Sequence, residues 1–180
     1  MRGINHIGLA ACVLSAYSFH AGWPGLLSVS SAVIGSLAPD LDGGGTIARP
    51  SNFLPHLFPK WLMDFVDWFG IHFSKLVKKI FGHRGILHWP IIGLLISYAG
   101  FYTHVNLLMF FGFGWLLHLA GDIITVNGIP LFGPFSHKKI SVFGMRVGSQ
   151  FEGFVGVCFW ITAIGLTIVQ IVQIEGLVGF

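Results

Sequence analysis

Apolar residues gather along this chain into five long stretches separated by short polar turns. The first runs from about Ile4 to Phe19 and ends at His20-Ala21-Gly22-Trp23-Pro24-Gly25. The second runs from about Leu26 to Ala38 and stops at Pro39. The third covers about Ile86 to Tyr102, the fourth about Leu107 to Val126 and the fifth about Phe154 to Ile174. A chain in lipid must satisfy its backbone hydrogen bonds within each segment, so these stretches predict helices. A span takes roughly 20 residues, and only the last two qualify outright by length; the first two must tilt little, thin the bilayer or extend through polar ends. The first stretch lacks a small-x-small cleavage site and opens on Asn5 and His6, so it reads as a retained span and not a signal peptide. A different pattern occupies Trp61 to Phe81. Trp61, Phe65, Phe69, Leu76 and Ile80 lie on one side, and Asp64, Asp67, Lys75 and Lys78 form an opposing stripe, which predicts an amphipathic helix lying in the membrane interface. The expected fold is therefore all-α: a polytopic membrane bundle of about five spans in a single domain, with one interfacial helix.

Composition agrees. Of 180 residues, 54% are hydrophobic and only 9% charged, about a third of the charge of an ordinary soluble domain, and the mean hydropathy is +0.78. The 18 Phe, 6 Trp and 25 Gly suit helices that anchor at an interface and pack closely in lipid. Cys12 and Cys158 lie in apolar runs and read as small buried hydrophobes.

Charge changes the picture more than composition does. Counting spans puts the N-terminus, the segment from Asp40 to Gly85 and the segment from Asn127 to Gly153 on one side, and all 10 Lys and Arg fall there. By the positive-inside rule that side is cytoplasmic, with the N-terminus in and the C-terminus out. The net charge of +3 thus reports orientation, and nucleic-acid binding is not needed to explain it.

Ionisable groups at the edge of a span are expensive, which makes them the first candidates for function. His6 opens the first span, Asp40 and Asp42 close the second, His83 and His88 open the third, His118 and Asp122 close the fourth, and Glu152 opens the fifth. All fall at the predicted cytoplasmic end. An up-and-down bundle brings these ends together, and a set of His and carboxylates of this kind suits a divalent metal. His118 and Asp122, four apart, share a helical face, with Gly121 leaving room beside them. His20, His72 and His104 have no carboxylate neighbours and read as packing residues; His56 and His137 read as loop residues.

In order along most of the chain, Asn5-His6, Ala38-Pro39-Asp40-Leu41-Asp42, His83-Arg84-Gly85-x-x-His88, His118-x-x-x-Asp122 with Thr125-x-x-Gly128-Ile129-Pro130-Leu131, and Gly148-Ser149-x-x-Glu152 resemble the YdjM-like family of inner-membrane, metal-dependent hydrolases of bacteria and archaea. That resemblance implies a distant likeness to zinc-dependent phospholipase C and related nucleases, in which His and Asp on packed helices hold several zinc ions. It places metal ligands at His6, Asp40, His83, His88, His118 and Asp122. Leu87 and Trp89 replace the family's usual Thr and Ser, removing two hydroxyls, and Ala38 replaces a Leu.

A metal site of more than one ion, zinc first with manganese or magnesium as alternatives, would activate water for attack on phosphorus. Arg84 is the candidate to grip a phosphate oxygen, and Asp42 and Glu152 are candidates for general base or for orienting a ligand His. A site at headgroup level points to a phospholipid or another amphiphilic phosphoester as substrate and the bilayer as partner. Two other classes also use membrane His and Asp: a metal-ion transporter, whose site lies near the midplane, and a non-catalytic scaffold with a closed structural site. The opposite half of the chain offers only His20, His104 and Glu175, and the surplus of ligands favours an open site, so the hydrolase reading leads.

Overall fold

The structure is a computed structural model that describes residues 1–17, 22–42, 51, 58–81 and 85–178, with only the backbone described for Gly22, Trp23, Asp42, Phe81 and residues 174–178. Helices α1 (Gly3–Tyr17), α2 (Gly22–Leu37), α3 (Lys60–Phe81), α4 (Pro90–Tyr102), α5 (Asn106–Ile123) and α6 (Gln150–Val178) are joined by 3-10 turns at Ala38–Asp42 and Ile86–His88. The described residues contain no strand. Two isolated bridges, Thr125 with Met145 and Ile129 with Ile140, tie the irregular segment between α5 and α6. The all-helical expectation therefore holds. Among the described residues, two helices, over Asn106–Ile123 and Gln150–Gln173, are long and apolar enough to cross a membrane, while α1 and α4 are apolar but shorter.

Helix ends differ from the sequence reading for local reasons. The third stretch is not helical from Ile86. It begins as a 3-10 turn, and α4 starts only at Pro90, which occupies the first helical turn where its missing N–H costs nothing. The fourth stretch stops at Ile123 because the amide and hydroxyl of Thr125 both donate to the Asp122 carbonyl, at 3.0 and 2.8 Å, and close the helix. The fifth starts earlier, at Gln150, where the Ser149 hydroxyl accepts from the Glu152 amide at 3.2 Å. The predicted end of the first span at residues 18–19 lies outside the described residues.

Packing directions alternate. Along α1 and α6, Asn5 meets Glu152, Gly8 meets Trp160 and Ser15 meets Thr167, so these two helices run parallel. Along α2 and α5, Ser31 bonds the Leu107 carbonyl and the Ser36 carbonyl meets His118, so these run parallel as well. Against α5, α4 runs the other way, Gly93 lying against Leu116 and Gly100 against Met109. So does α1, with His6 beside Gly121 and Leu14 in the cluster of Phe110. The start of α1, the end of α2, the start of α4, the end of α5 and the start of α6 therefore share one end of the bundle.

Small residues permit this closeness. A Cβ on Gly114 would overlap the Ala32 carbonyl, and one on Gly35 would overlap the Phe111 carbonyl, so α2 and α5 meet backbone to backbone. Below this contact Ala38, Trp115, Leu119 and Ile129 form a buried apolar cluster under the ends that carry the ionisable residues. Gly114→Ala is expected to cost roughly 1–3 kcal/mol as an overpacked contact and to lower the melting temperature in detergent. Gly165→Ala, whose added Cβ meets nothing within 4 Å, should leave that temperature unchanged or slightly raised, and thermal unfolding of the two purified variants checks both.

Candidate metal centre

His118 is fully buried on α5, and its Nδ1 lies 2.7 Å from the Ser36 carbonyl. A carbonyl can only accept, so Nδ1 carries the proton and Nε2 presents its lone pair. The Ser36 carbonyl is available because it belongs to the last turn of α2, where carbonyls have no partner inside the helix. His118 Nε2 faces two carboxylates, Asp40 Oδ1 at 3.6 Å and Asp122 Oδ2 at 3.7 Å.

His88 enters from the 3-10 turn before α4. Its Nε2 stands 3.9 Å from Asp40 Oδ1 and 3.8 Å from Asp122 Oδ2. The turn is held by Trp115, whose indole N–H donates to the Leu87 carbonyl at 3.0 Å, so the residue that fixes His88 lies one turn from His118 on the same helix. Asp122 turns its other oxygen to α1, with Oδ1 3.2 Å from His6 Nε2 and 2.5 Å from the Met1 amino nitrogen. His6 is itself fully buried and stacks on His118, with ring centroids 3.8 Å apart. Gly121 makes this possible, because a Cβ there would come within 2.9 Å of His6 Nδ1.

Two triads result, His6 with His118 and Asp122, and Asp40 with His88 and His118. The second triad and Asp122 Oδ2 make a set of two nitrogens and two oxygens whose four cross-distances are 3.6–3.9 Å. Ligands about 2.0–2.1 Å from a tetrahedral zinc are separated by about 3.3–3.5 Å, and the four nitrogen–oxygen separations here exceed that by only a few tenths of an ångström. His6 Nδ1 and His118 Nε2 are buried without a hydrogen bond, a placement that costs about 1–3 kcal/mol per group unless something else binds there. Donor chemistry, spacing and buried lone pairs all fit a divalent cation. His118 Nε2 offers one lone pair, so the two triads cannot each hold an ion through it. Within the set Asp40 is the open member, its side chain 33% exposed against 1% for Asp122.

Five residues named from the sequence thus converge: His6, Asp40, His88, His118 and Asp122. Glu152 does not join them. Its carboxylate is fully buried and occupied, Oε1 accepting from the Arg2 amide at 2.5 Å and from Asn5 Nδ2 at 3.1 Å, and Oε2 from the Gly148 amide at 2.5 Å. That makes it a clamp between α1 and α6, apart from the five residues that converge. His83 and Arg84 lie outside the described residues, as do His20 and His56. Asp42 has a described backbone at the end of its 3-10 turn, and its side chain lies outside the description. His72 bonds the Trp68 carbonyl on the exposed face of α3, and His104 sits in the turn between α4 and α5 with φ of 56°. Ser36 and Trp115 are the positioning residues that sequence reasoning missed. Their signals were present: a carbonyl in the last turn of a helix, and an indole three residues before a candidate ligand.

Comparison with known proteins places these residues in context. The family model for the YdjM inner membrane protein matches residues 1–176. The uncharacterized protein YvsG of Bacillus subtilis (strain 168) is 29% identical over 160 residues, covering 86% of this chain and 87% of its own length. The inner membrane protein YdjM of Escherichia coli (strain K12) is 26% identical over 144 residues, covering 76% of this chain and 64% of its own. No solved structure matches.

Glu152→Ala strips the Arg2 and Gly148 amides and Asn5 of their buried acceptor and should cost roughly 3 kcal/mol or more, given about 1–3 kcal/mol for each stranded group. Thermal unfolding in detergent should show a large drop, and an unchanged midpoint would mean that the clamp does not hold α1 to α6.

Proposed function

We propose that this chain, which belongs to the YdjM inner membrane protein family, is a membrane-bound, divalent-metal-dependent hydrolase of phosphoesters, working at the cytoplasmic face of the membrane. The single observation that carries the reading is the convergence of Asp40 with the buried His88, His118 and Asp122 from three separate parts of the chain, with 3.6–3.9 Å between the nitrogens and the oxygens they face. These four residues would hold the first ion. His6 and Asp122 would supply ligands toward a second. When bound, zinc, or manganese or magnesium in its place, supplies Lewis acidity toward a phosphoryl oxygen and toward water.

The chain's own residues do the rest. The Ser36 carbonyl keeps His118 in the tautomer that presents Nε2, and the Trp115 indole keeps His88 turned toward it. The stacked His6 ring and the apolar cluster beneath exclude water from one side. Asp40 lies at the open side, so substrate approaches past it. Arg84, four residues before His88, is our candidate for binding a phosphate oxygen, and Asp42, two residues after Asp40, for taking up a proton. Both assignments rest on sequence position. In the membrane we read α1, α2, α4, α5 and α6 as five passes, the three shorter helices carried by a locally thinned bilayer, with the N-terminus cytoplasmic. The alternating helix directions and the one-sided Lys and Arg support this.

Metal analysis of detergent-purified protein should find bound zinc or manganese, lost by tenfold or more in His118→Ala and in Asp40→Ala. Folded protein without metal would sink the site. With metal present, turnover of a phosphodiester or phosphomonoester that disappears in the same variants supports the hydrolase, whereas metal without turnover across lipid and soluble substrates supports a structural scaffold. For topology, alkaline phosphatase fused after the last residue should be active and a fluorescent protein fused there dark. The reverse result would overturn the five-pass arrangement.

A further inference from the structure

Helix α3 has three faces. Met63, Ser74 and Val77 are buried against the rest of the chain, on the side that meets the 3-10 turn Ala38–Asp42. A second face carries Trp61, Phe65, Trp68, Phe69, Phe73, Leu76 and Ile80, every one exposed, Trp61 by 71%. A third carries Asp64, Asp67, Lys75 and Lys78, with Asp67 accepting from the amide and hydroxyl of Ser51. On a helical wheel the exposed apolar face lies roughly a quarter to half a turn from the buried one. Tertiary packing therefore does not use the helix's main hydrophobic stripe. An apolar face of this length on a solvated surface would be an aggregation site, and its neighbours name what covers it.

We propose that α3 lies in the headgroup layer of an anionic membrane leaflet, its aromatic face in the acyl boundary and Lys75, Lys78 and Lys79 on acidic phospholipid headgroups. Charge complementarity selects this occupant. The last two turns of α3 hold these three exposed lysines and no acidic residue. Aromatic rings above a lysine cluster are the composition of a helix that inserts at an interface and reads negative lipid. A second consequence concerns the site. The packed face of α3 braces the turn that carries Asp40, the open member of the metal centre. Docking α3 in the headgroups holds that mouth at headgroup depth, whether or not the centre hydrolyses anything.

The test uses the full chain with Cys12 and Cys158 replaced by alanine, spin-labelled at single cysteines and reconstituted into bilayers of phosphatidylcholine with or without phosphatidylglycerol. Labels at 65 and 69 should be accessible to oxygen and shielded from a water-soluble nickel complex, with labels at 64 and 78 showing the reverse. Lys75→Gln, Lys78→Gln and Lys79→Gln together should shift labels 65 and 69 toward water in the phosphatidylglycerol bilayers by about fivefold per lysine in docking equilibrium. They should do so far less in phosphatidylcholine alone. Labels 65 and 69 that are water-accessible, or immobilised against another protein surface, in both lipids would overturn the membrane-docked helix, and equal lysine effects in both would overturn the anionic preference. Bound metal measured in the same samples is expected to be unchanged by the lysine substitutions, so failure here and failure of the metal centre give different results.

Discussion

Asp122 is the charge around which the chain is organised. It lies 1% exposed at the end of α5, where a lone carboxylate would be prohibitively costly, so the rest of the bundle end must answer it. Oδ1 meets His6 and the Met1 amine from α1's side, and Oδ2 meets His88 and His118 from the side of α4 and α5. Each partner in turn needs its own support: the Ser36 carbonyl under His118, the Trp115 indole over the Leu87 carbonyl, the stacked ring of His6. A single buried carboxylate thus fixes the relative positions of four helices' ends.

That arrangement is possible only because the helices approach closely elsewhere. Gly35 and Gly114 let α2 and α5 touch backbone to backbone, and Gly121 leaves the space His6 fills. In lipid there is little hydrophobic gain from bringing helices together, so small residues and buried polar bonds carry the packing. Glu152 contributes the polar part for α1 and α6, gathering the Arg2 and Gly148 amides and Asn5. It resembles a capping box whose carboxylate reaches the residue before the cap, which ties a helix start to a neighbouring helix as well as to its own turn.

The remaining element, α3, stands apart from this logic. It touches the core through a narrow face beside the turn of Asp40 and leaves its aromatic stripe outside. The exposed aromatic stripe of α3 and the His and Asp cluster at the bundle end are thereby joined through one short turn, Ala38–Asp42.

Sequence alone determined the helical class, because apolar runs with so few charges have no other way to satisfy their backbones, and the one-sided cations and edge-of-span His and Asp pointed to the end of the bundle that matters. It also named His6, Asp40, His88, His118 and Asp122, since ionisable residues are rare enough in such a chain for each to be visible. What it could not supply was which oxygen or nitrogen faces which partner. Glu152 and Asp122 look alike in sequence, both carboxylates at a helix end, yet one is consumed by amides and the other is turned toward three imidazoles. Pro90 moved His88 off the helix and onto a 3-10 turn, and Ser36 and Trp115 acquired their roles from atoms that helix packing brings near, 82 and 28 residues away in the chain. The pattern of residue types is local and can be read in one dimension; the direction of a lone pair depends on how separate helices pack, and only the tertiary structure decides it.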